Sequence, residues 1–474
     1  MRLLLHLVLH LAGFVFSIQA VMQSRTEQGA VAWALSLNTA PIVAVPAWLV
    51  FGYSEMDSYN ATRQAGLEKT RPFAEKLIGH FGNKEMDSSE AREEQAFESL
   101  ATIASLPFIR GNEVELLVDG KNTYRSIFEA IDEAQDYILI QFYILRDDEA
   151  GGELKERLIA KAREGVRVFL LIDDYGSLHL PGGYLSELRE AGVAAHYFMD
   201  LGKNANRFQL NYRNHRKIVV VDGHTGFVGG HNVGDEYRGQ HPVLTPWRDS
   251  HIRITGPAVK TLQIPFIEDW QWATGKVPAG LNWEVAEDEM VGGKEVLILA
   301  SGPADPMESC SLFFLTMINE AQERLWIASP YFVPDDKMVT ALQLAALRGV
   351  DVRILMPDLI DSTLVHYSSF SYLEDLEMAG IRAYRYQKGF MHQKVVLVDD
   401  SLSAVGSANF DNRSFRLNFE VTGIVRDREF NAEIADMLEE DFANSKLAPA
   451  TDYTEKGFFF RLRVRLARLL APIQ

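Results

Sequence analysis

Two short strings in the chain carry the same residue types at the same spacing. They are His215-Arg216-Lys217 with Asp222 and His392-Gln393-Lys394 with Asp399, and both read His-x-Lys-x-x-x-x-Asp. One imidazole can attack phosphorus to form a phosphohistidine, while a second protonates the leaving alkoxide. The two lysines would stabilise charge on the phosphate oxygens. We therefore assign catalytic roles to the His, Lys and Asp of both strings, in one site built from two half-sites.

Small residues and an asparagine follow each string. They are Gly229-Gly230 with Asn232, and Gly406-Ser407 with Asn409. Glycine allows a ligand to approach the backbone closely. Ser407 and the two asparagines can donate hydrogen bonds to the oxygens of an anion. These residues are expected to contact the substrate phosphate.

Two carboxylates are candidates for orienting the imidazoles. Asp249 and Glu420 occupy comparable places after the two strings, each at the start of an apolar stretch. A carboxylate that accepts from one ring nitrogen fixes which nitrogen carries the proton. An ordinary salt bridge is the alternative for either acid.

A zinc site would be a rival use of the histidines. The spacing gives no His-x-x-x-His pair with an acid, and each His of the strings has a Lys two residues away that would repel a cation. We therefore expect no metal and no cofactor.

The strings belong to a longer duplication. Residues 131–135 match residues 318–322, and each match is followed by an apolar run, an Asp pair, a helical stretch and a Gly. Strands that alternate with helices predict an α/β fold with buried, largely parallel strands. The duplicated lobes are predicted at 108–275 and 293–447.

Four further segments frame the two lobes. A two-span membrane anchor is predicted at 1–53, because the apolar runs 3–22 and 30–53 are each long enough to cross a bilayer. An acidic juxtamembrane segment follows at 54–107, a linker lies at 276–292, and a basic tail occupies 448–474. A cleaved signal peptide is the alternative for the first run.

The distribution of basic residues indicates an orientation in the membrane. Arg2, Arg63, Lys69 and Arg71 lie on the side of the lobes, against Arg25 alone in the hairpin between the runs. The positive-inside rule then favours lobes on the cytoplasmic side of a bacterial inner membrane.

Bulk composition narrows the class of partner. The 474 residues are 47% hydrophobic and carry a net charge of −18 at pH 7, with one cysteine, Cys310. A strongly acidic chain is a poor general nucleic-acid binder. A single cysteine excludes an internal disulfide framework.

The tail reverses this charge balance. Residues 458–470 contain no acid, and on a helix Arg461, Arg465 and Arg468 share one face while several leucines occupy another. Such a helix lies well on an anionic lipid leaflet. A terminal helix packed on the protein is the alternative.

The two strings, in this wider pattern, resemble the phospholipase D superfamily and, within it, the bacterial cardiolipin synthases. The similar strings are NYRNHRKIVVVDG, GFVGGHNVGDEY, PWRDSHIRITGPAV, ASPYFVPDD and VGSANFDNRSFRLNFEV. The resemblance covers essentially the whole chain and departs from the family pattern at His231 and Gln393. It implies a two-lobed sandwich with pseudo-two-fold symmetry and the site in the cleft.

The resemblance also implies a reaction. Two phosphatidylglycerol molecules would give cardiolipin and glycerol, with His215 as nucleophile and His392 as general acid and base. The expected partners are this anionic phospholipid and the bilayer. The motifs themselves do not separate the two histidine roles, and the oligomeric state stays open.

Three alternatives remain open from the residues. One is hydrolysis by a phospholipase D or transfer to serine or ethanolamine on the same scaffold. Another is a nuclease, which the acidic surface and the spans disfavour. The third is a non-enzymatic membrane scaffold, which the intact His and Lys of both strings disfavour.

Overall fold

The computed structural model describes residues 2–24, 27–52, 91–199, 211–285 and 289–474, with the single positions 59, 73, 75 and 79. Arg25, Arg63, Lys69 and Arg71, which support the predicted orientation in the membrane, lie outside these residues. Most of the acidic segment 54–107 lies outside them as well.

Three helices precede the lobes. They are α1 (Arg2–Gln23), α2 (Glu27–Thr39) and α3 (Pro41–Phe51). In the described part of the chain, only α1 is long and apolar enough to cross a membrane, over His6–Gln23. The second apolar run is divided because Ala40 leaves helical geometry, with φ −134° and ψ 55°, and proline starts the next helix. The predicted second span is therefore not one continuous helix.

A helix, α4 (Ala91–Ala104), precedes the first lobe and packs against the second one. The first lobe contains nine strands in its described residues. Its elements are β1 (Ile109–Val118), α5 (Asp119–Glu133), β2 (Tyr137–Phe142), α6 (Glu149–Arg163), β3 (Arg167–Ile172), α7 (Gly182–Glu190), β4 (Ala194–Tyr197), β5 (Arg213–Asn214), β6 (Ile218–Val221), β7 (Thr225–Gly229), β8 (Trp247–Arg248), β9 (Ser250–Thr255) and α8 (Val259–Thr274).

The second lobe follows the same plan and ends in the tail helix. Its elements are β10 (Lys294–Ser301), α9 (Ser309–Glu320), β11 (Arg324–Ala328), β12 (Phe332–Val333), α10 (Asp336–Leu347), β13 (Asp351–Pro357), α11 (Thr363–Phe370), α12 (Leu373–Met378), β14 (Arg382–Tyr386), β15 (Phe390–Met391), β16 (Val395–Val398), β17 (Leu402–Gly406), β18 (Phe410–Asp411), α13 (Asn412–Arg416), β19 (Asn418–Arg426), α14 (Arg428–Ala443), β20 (Ser445–Leu447), α15 (Thr451–Thr454) and α16 (Phe458–Arg468).

One continuous sheet joins the two lobes, and its strand order repeats. From the middle outwards, the first lobe has the order β1-β9-β7-β6-β2-β3-β4, and the second has β10-β19-β17-β16-β11-β13-β14. The central strands β1 and β10 pair antiparallel. One sheet face packs on α8 and α14, and the other packs on α5 to α7 and on α9 to α12. The result is an α/β fold in three layers.

The expectation of largely parallel strands is wrong. β2, β3 and β4 run parallel, but β6 is antiparallel to β2 and β7, and β7 is antiparallel to β9. The second lobe repeats this mixture. Only three residues separate β6 from β7, which is too few for the crossover that a parallel pair needs.

Repeated capping residues explain why corresponding helices begin and end at the same places. Asp148 accepts a hydrogen bond from the Gly151 N–H at the start of α6, and Asp335 does the same for Met338 at the start of α10. Past the ends of these helices, Gly165 and Gly349 have φ of 95° and 96°. These are the left-handed conformations that glycine adopts without strain.

Candidate active site

The two His-x-Lys strings lie where the lobes meet, and each is held by a strand of the other lobe. β5, just before His215, pairs parallel with β19, and the His215 N–H donates to the Phe419 carbonyl at 2.9 Å. β15, just before His392, pairs parallel with β8, and the His392 N–H donates to the Arg248 carbonyl at 2.7 Å. This exchange of short strands brings both imidazoles to the interface between the lobes.

The same exchange of strands pairs each imidazole with a carboxylate of the other lobe. His215 Nδ1 lies 2.9 Å from Glu420 Oε2, and His392 Nδ1 lies 2.7 Å from Asp249 Oδ2. An ionised carboxylate only accepts hydrogen bonds, so Nδ1 of each ring carries the proton and Nε2 presents a lone pair. Each lobe therefore supplies one imidazole and orients the imidazole of the other lobe.

Glu420 is fully buried and is bonded on both oxygens. Besides His215, it accepts hydrogen bonds from Ser407 at 2.5 Å, Ser414 at 2.8 Å and Asn418 at 3.0 Å. Although burial opposes ionisation, His215 and Lys217 hold the pKa of the Glu420 carboxyl below its usual range. The His215 side of the site therefore contains a fixed negative charge.

Asp249 is also fully buried. Its Oδ1 accepts from the Ser250 N–H at 2.8 Å, which leaves Oδ2 for His392. A Cβ added at Gly230 would lie only 2.0 Å from Asp249 Oδ1. The sequence suggested that this glycine lets a ligand approach the backbone. In the structure it instead makes room for the Asp249 carboxylate.

Burial favours the neutral form of both imidazoles. It lowers the pKa of His215 to about 4, against the opposing effect of Glu420, and lowers the pKa of His392 well below its usual value. A neutral imidazole with a free Nε2 is the form that can act as nucleophile or base.

The two lysines are buried beside the imidazoles. Lys217 Nζ donates to the His215 carbonyl at 2.6 Å, and Lys394 Nζ donates to the His392 carbonyl. Burial lowers the pKa of Lys217 to about 7 and that of Lys394 to about 8. An anion entering the site would favour the protonated form of both lysines.

One cavity of about 530 Å³ exposes both histidines. Six of the residues that form its wall are Tyr143, Tyr331, Asn232, Asn409, Arg213 and Arg413. The ring of Tyr143 contacts His215 with a centroid distance of 5.0 Å, and the ring of Trp247 contacts His392 at 5.1 Å. The cavity therefore combines the two imidazoles with hydrogen-bonding and cationic side chains.

The predicted phosphate-contacting residues divide into two groups. Asn232 and Asn409 line the cavity, although Asn232 also accepts from the Ile144 N–H at 3.1 Å and donates to the Tyr237 hydroxyl at 3.1 Å. Ser407 instead donates to Glu420 and thereby holds the carboxylate that holds His215.

Asp222 and Asp399 are not brought into this cluster. Asp222 accepts hydrogen bonds from the backbone N–H groups of residues 135, 136 and 137, each at 2.8 Å. Asp399 accepts from those of residues 322, 323 and 324 at 2.8 to 2.9 Å. Each follows the far end of its buried strand, where it fastens the turn to the neighbouring strand.

Several residues of the site were not identified from the sequence. Tyr143 and Tyr331 follow β2 and β11, the same strand of each repeat, so the duplication itself could have found them. Asp269, buried in α8, accepts from Tyr59, Gln141, Asn214 and Arg216 at 2.7 to 2.9 Å. It binds the side chains of the two residues on either side of His215, but nothing in its sequence context indicates this role.

In the described part of the chain, no group of three or more His, Cys, Asp or Glu side chains is arranged to hold a metal ion. The cationic charge near the imidazoles comes from Lys217 and Lys394.

Known proteins are similar to this chain in sequence. The family model described as "Cardiolipin synthase, PLD-like domain" matches residues 127–240 and 314–443. Cardiolipin synthase A of Pseudomonas putida strain KT2440 is 46% identical over 467 residues, which cover 98% of this chain and 96% of that protein. Cardiolipin synthase A of Pseudomonas fluorescens strain Pf-5 is also 46% identical, with 98% and 97% covered.

A solved structure gives an independent likeness of the fold. The phosphatidylserine synthase of Haemophilus influenzae Rd KW20 superposes with a TM-score of 0.62 at 17% identity, over 80% of this chain and all of that one. At this identity the likeness concerns the fold alone.

Proposed function

The chain belongs to the cardiolipin synthase family of phospholipase D-like phosphatidyltransferases, and from this premise we propose how its cavity transfers a phosphatidyl group between two phosphatidylglycerol molecules. The products are cardiolipin and glycerol. The observation that carries the proposal is the crossed pairing of His215 with Glu420 and of His392 with Asp249 around one cavity. It leaves two imidazole Nε2 atoms free for one phosphorus atom.

In the first step, His215 Nε2 attacks the phosphorus of the donor lipid. The bond from phosphorus to the headgroup glycerol oxygen breaks, and the proton on His392 Nε2 goes to that oxygen as glycerol leaves. This step requires His392 to be protonated, whereas burial lowers the pKa of His392 well below its usual value. The anionic phosphodiester raises the pKa of the adjacent imidazole and ammonium groups as it binds, so donor binding and proton uptake occur together.

In the second step, the terminal hydroxyl of the acceptor phosphatidylglycerol attacks phosphorus. Its proton goes to His392 Nε2, the phosphorus–nitrogen bond to His215 breaks, and cardiolipin leaves. His392 ends with the proton that it lost in the first step, so atoms and charge balance over the cycle. The family resemblance supports His215 as nucleophile, as does the firm anchoring of its ring on both oxygens of Glu420.

The other predicted site residues act around these two. Lys217 and Lys394 would stabilise the equatorial phosphate oxygens in the transition state. Asn232 and Asn409 would contact the phosphate from the cavity wall, and Ser407 would position Glu420. For Asp222 and Asp399, we propose a structural role at the strand ends in place of a catalytic one.

We also propose the arrangement of the whole chain. The segments predicted from the sequence are 1–53, 54–107, 108–275, 276–292, 293–447 and 448–474. The starts of β1 at Ile109 and of β10 at Lys294 support the starts of the two lobes. The repeated strand order supports a pseudo-two-fold relation between the lobes. The N-terminal segment would cross the bacterial inner membrane twice, with α2 and α3 together as the second crossing and the lobes on the cytoplasmic side.

The tail helix α16 supports contact with lipid. Val464 and Ala467 are buried against the second lobe, but Phe459 and Leu469 are each 75% exposed on the opposite side. Leu462, Leu466 and Leu470 extend this exposed apolar face, and exposed Arg461 and Arg463 lie on its two flanks. The helix thus packs on the protein through one face and would lie on an anionic leaflet through the other.

Product analysis tests the proposed reaction. Full-length enzyme incubated with phosphatidylglycerol in mixed micelles is expected to form cardiolipin and glycerol in equal amounts. Phosphatidic acid as the main product would identify a hydrolase, and incorporation of labelled serine or ethanolamine would identify another acceptor. Either result would contradict the proposal.

A further inference from the structure

Two arginines of the cavity have no part in the two-step chemistry. Arg213 comes from the first lobe, two residues before His215, and Arg413 comes from α13 of the second lobe. Residues two apart on an extended strand share a face and lie about 7 Å apart. Arg213 is therefore displaced along the cavity wall from the imidazole that would attack phosphorus.

The hydrogen bonds described for the Arg413 guanidinium all go to neutral acceptors. Its Nη atoms donate to the Asn211 carbonyl at 2.8 Å, to Asn211 Oδ1 at 3.0 Å and to the Ile473 carbonyl at 3.1 Å, and its Nε donates to the same Ile473 carbonyl at 3.3 Å. Burial, together with the charge of Arg213 nearby, lowers the pKa of Arg413. Two guanidinium groups held close to each other favour an anion between them or beside them.

Arg213 is held by stacking. Its guanidinium carbon lies 3.7 Å from the centre of the Tyr175 ring, and Tyr175 also lines the cavity. Its Nη1 also donates to the Tyr212 carbonyl at 3.1 Å. A guanidinium has five N–H donors, so stacking on Tyr175 is compatible with binding an anion at the edge of the fork.

Two acids line the same cavity and are bonded to other groups. Asp411 accepts from the Ser414 N–H at 2.7 Å, and Asp361 accepts from the Tyr331 hydroxyl. Burial also raises the pKa of Asp411 to about 6 and raises that of Asp361. These hydrogen bonds hold both carboxyls, but Asp411 still interacts electrostatically with Arg413 and offsets part of its positive charge.

The proposed reaction requires a second anion in this cavity. The acceptor phosphatidylglycerol brings its own phosphate, which does not react, and one glycerol separates it from the phosphorus under attack. This separation is comparable to the spacing of about 7 Å between alternate residues of a strand. The imidazoles and lysines are occupied by the first phosphate, so the second needs its own cations.

We propose that Arg213 and Arg413 form a second anion site that binds the phosphate of the acceptor lipid. This inference rests on the proposed function. Binding that phosphate places the terminal hydroxyl of the acceptor beside the phosphorus on His215. It also selects a phosphate-bearing alcohol over glycerol or water, so the two arginines determine acceptor specificity.

Partitioning between two soluble acceptors tests the site. Full-length enzyme is given phosphatidylglycerol as donor in mixed micelles, together with labelled glycerol and glycerophosphoglycerol, the deacylated form of the acceptor. Both alcohols compete for the same phosphatidyl-enzyme, so their product ratio is independent of donor binding. The variants are Arg413→Gln and Arg213→Gln, with Arg413→Lys as a charge-preserving variant. Arg163→Gln, at an exposed position on α6, is the matched control for loss of one charge.

The wild-type enzyme is expected to favour glycerophosphoglycerol. Each Arg→Gln variant should lower this preference by about ten- to a hundredfold, the value of one charge-assisted hydrogen bond. Exchange with labelled glycerol should stay within about threefold, and Arg413→Lys should be intermediate.

An unchanged product ratio in both Arg→Gln variants would overturn the inference. A proportional loss of both products would also overturn it, because that would place the arginines in the donor site or in the fold. Failure of the proposed function looks different, since the wild-type enzyme itself would then form neither product.

Discussion

Replacing Glu420 by Gln tests the crossed pairing most sharply, because it keeps the shape of the side chain and removes its charge. Glu420 accepts hydrogen bonds from four side chains, namely His215, Ser407, Ser414 and Asn418. A glutamine offers one acceptor oxygen, and its NH₂ group only donates. At least one of the four donors therefore loses its acceptor, and the imidazolium formed at His215 loses its counter-charge.

The expected loss follows from these contacts. A hydrogen bond to a charged group contributes about 1.5–3 kcal/mol, which alone corresponds to roughly ten- to a hundredfold in rate. If the glutamine NH₂ donates to Nδ1, the ring adopts the wrong tautomer and Nε2 carries the proton. The equivalent change in a serine protease triad costs about 10⁴-fold. We therefore expect kcat for Glu420→Gln to fall by about 10²- to 10⁴-fold.

The assay is cardiolipin formation and glycerol release by the full-length enzyme in phosphatidylglycerol mixed micelles, with thermal unfolding measured in parallel. Glu295→Gln is the matched control, because Glu295 pairs with Arg110 and Arg426 away from the cavity. If Glu420→Gln stayed folded and retained activity within threefold of Glu295→Gln, the orienting role of Glu420 would be refuted.

Three further predictions concern the lysines, the repeated aspartates and the tail helix. The value of kcat/KM should fall as pH rises above about 7, because the pKa values of Lys217 and Lys394 are lowered to about 7 and about 8 and only the ammonium form stabilises phosphate. Lys217→Arg should extend activity to higher pH in a pH–rate profile, and a flat alkaline limb in the wild-type enzyme would contradict this. Asp222→Ala leaves three backbone N–H groups without their acceptor and should lower the free energy of unfolding by about 1–3 kcal/mol, while kcat of the folded enzyme stays within about threefold; a loss of kcat like that of Glu420→Gln would return Asp222 to the catalytic set. Leu469→Cys places a reactive thiol on the exposed apolar face at the end of α16, and the native Cys310 is buried. The emission of an environment-sensitive fluorophore on this thiol should lie further to the blue when the enzyme is in anionic vesicles than when it is in neutral vesicles. The same emission in both kinds of vesicle would argue against contact with an anionic leaflet.

Much of the candidate site was predictable because it is encoded locally. A His and a Lys two residues apart at the start of a buried strand lie on one face, and the duplication indicated one shared cavity, as His215 and His392 show. Asp249 and Glu420 were recognisable as carboxylates at comparable places. The pairing of each acid with its imidazole could not be predicted. The strands β5, β8 and β15, which pair between the lobes, have only two residues each and are too short to show a periodic pattern.

The position of the repeated aspartates and the direction of the strands could not be predicted, also for physical reasons. Asp222 and Asp399 recur at a fixed distance from each Lys, but spacing alone does not distinguish a catalytic acid from one that closes a turn. Their φ values of 53° and 51° belong to a tight turn, in which Asp is a favoured residue. Buried strands look alike in parallel and antiparallel sheets, so apolar content could not give direction, whereas the short link between β6 and β7 could.

The covalent mechanism is tested most directly by identifying the residue that carries the phosphatidyl group. Full-length enzyme mixed with labelled phosphatidylglycerol and quenched within one turnover should contain an acid-labile, base-stable adduct that maps to His215 by mass spectrometry. The adduct should be absent from His215→Ala, and it should form far more slowly in His392→Ala, which lacks the acid that protonates the leaving glycerol. An adduct on His392 would reverse the two roles, and turnover without any adduct would contradict the covalent mechanism itself.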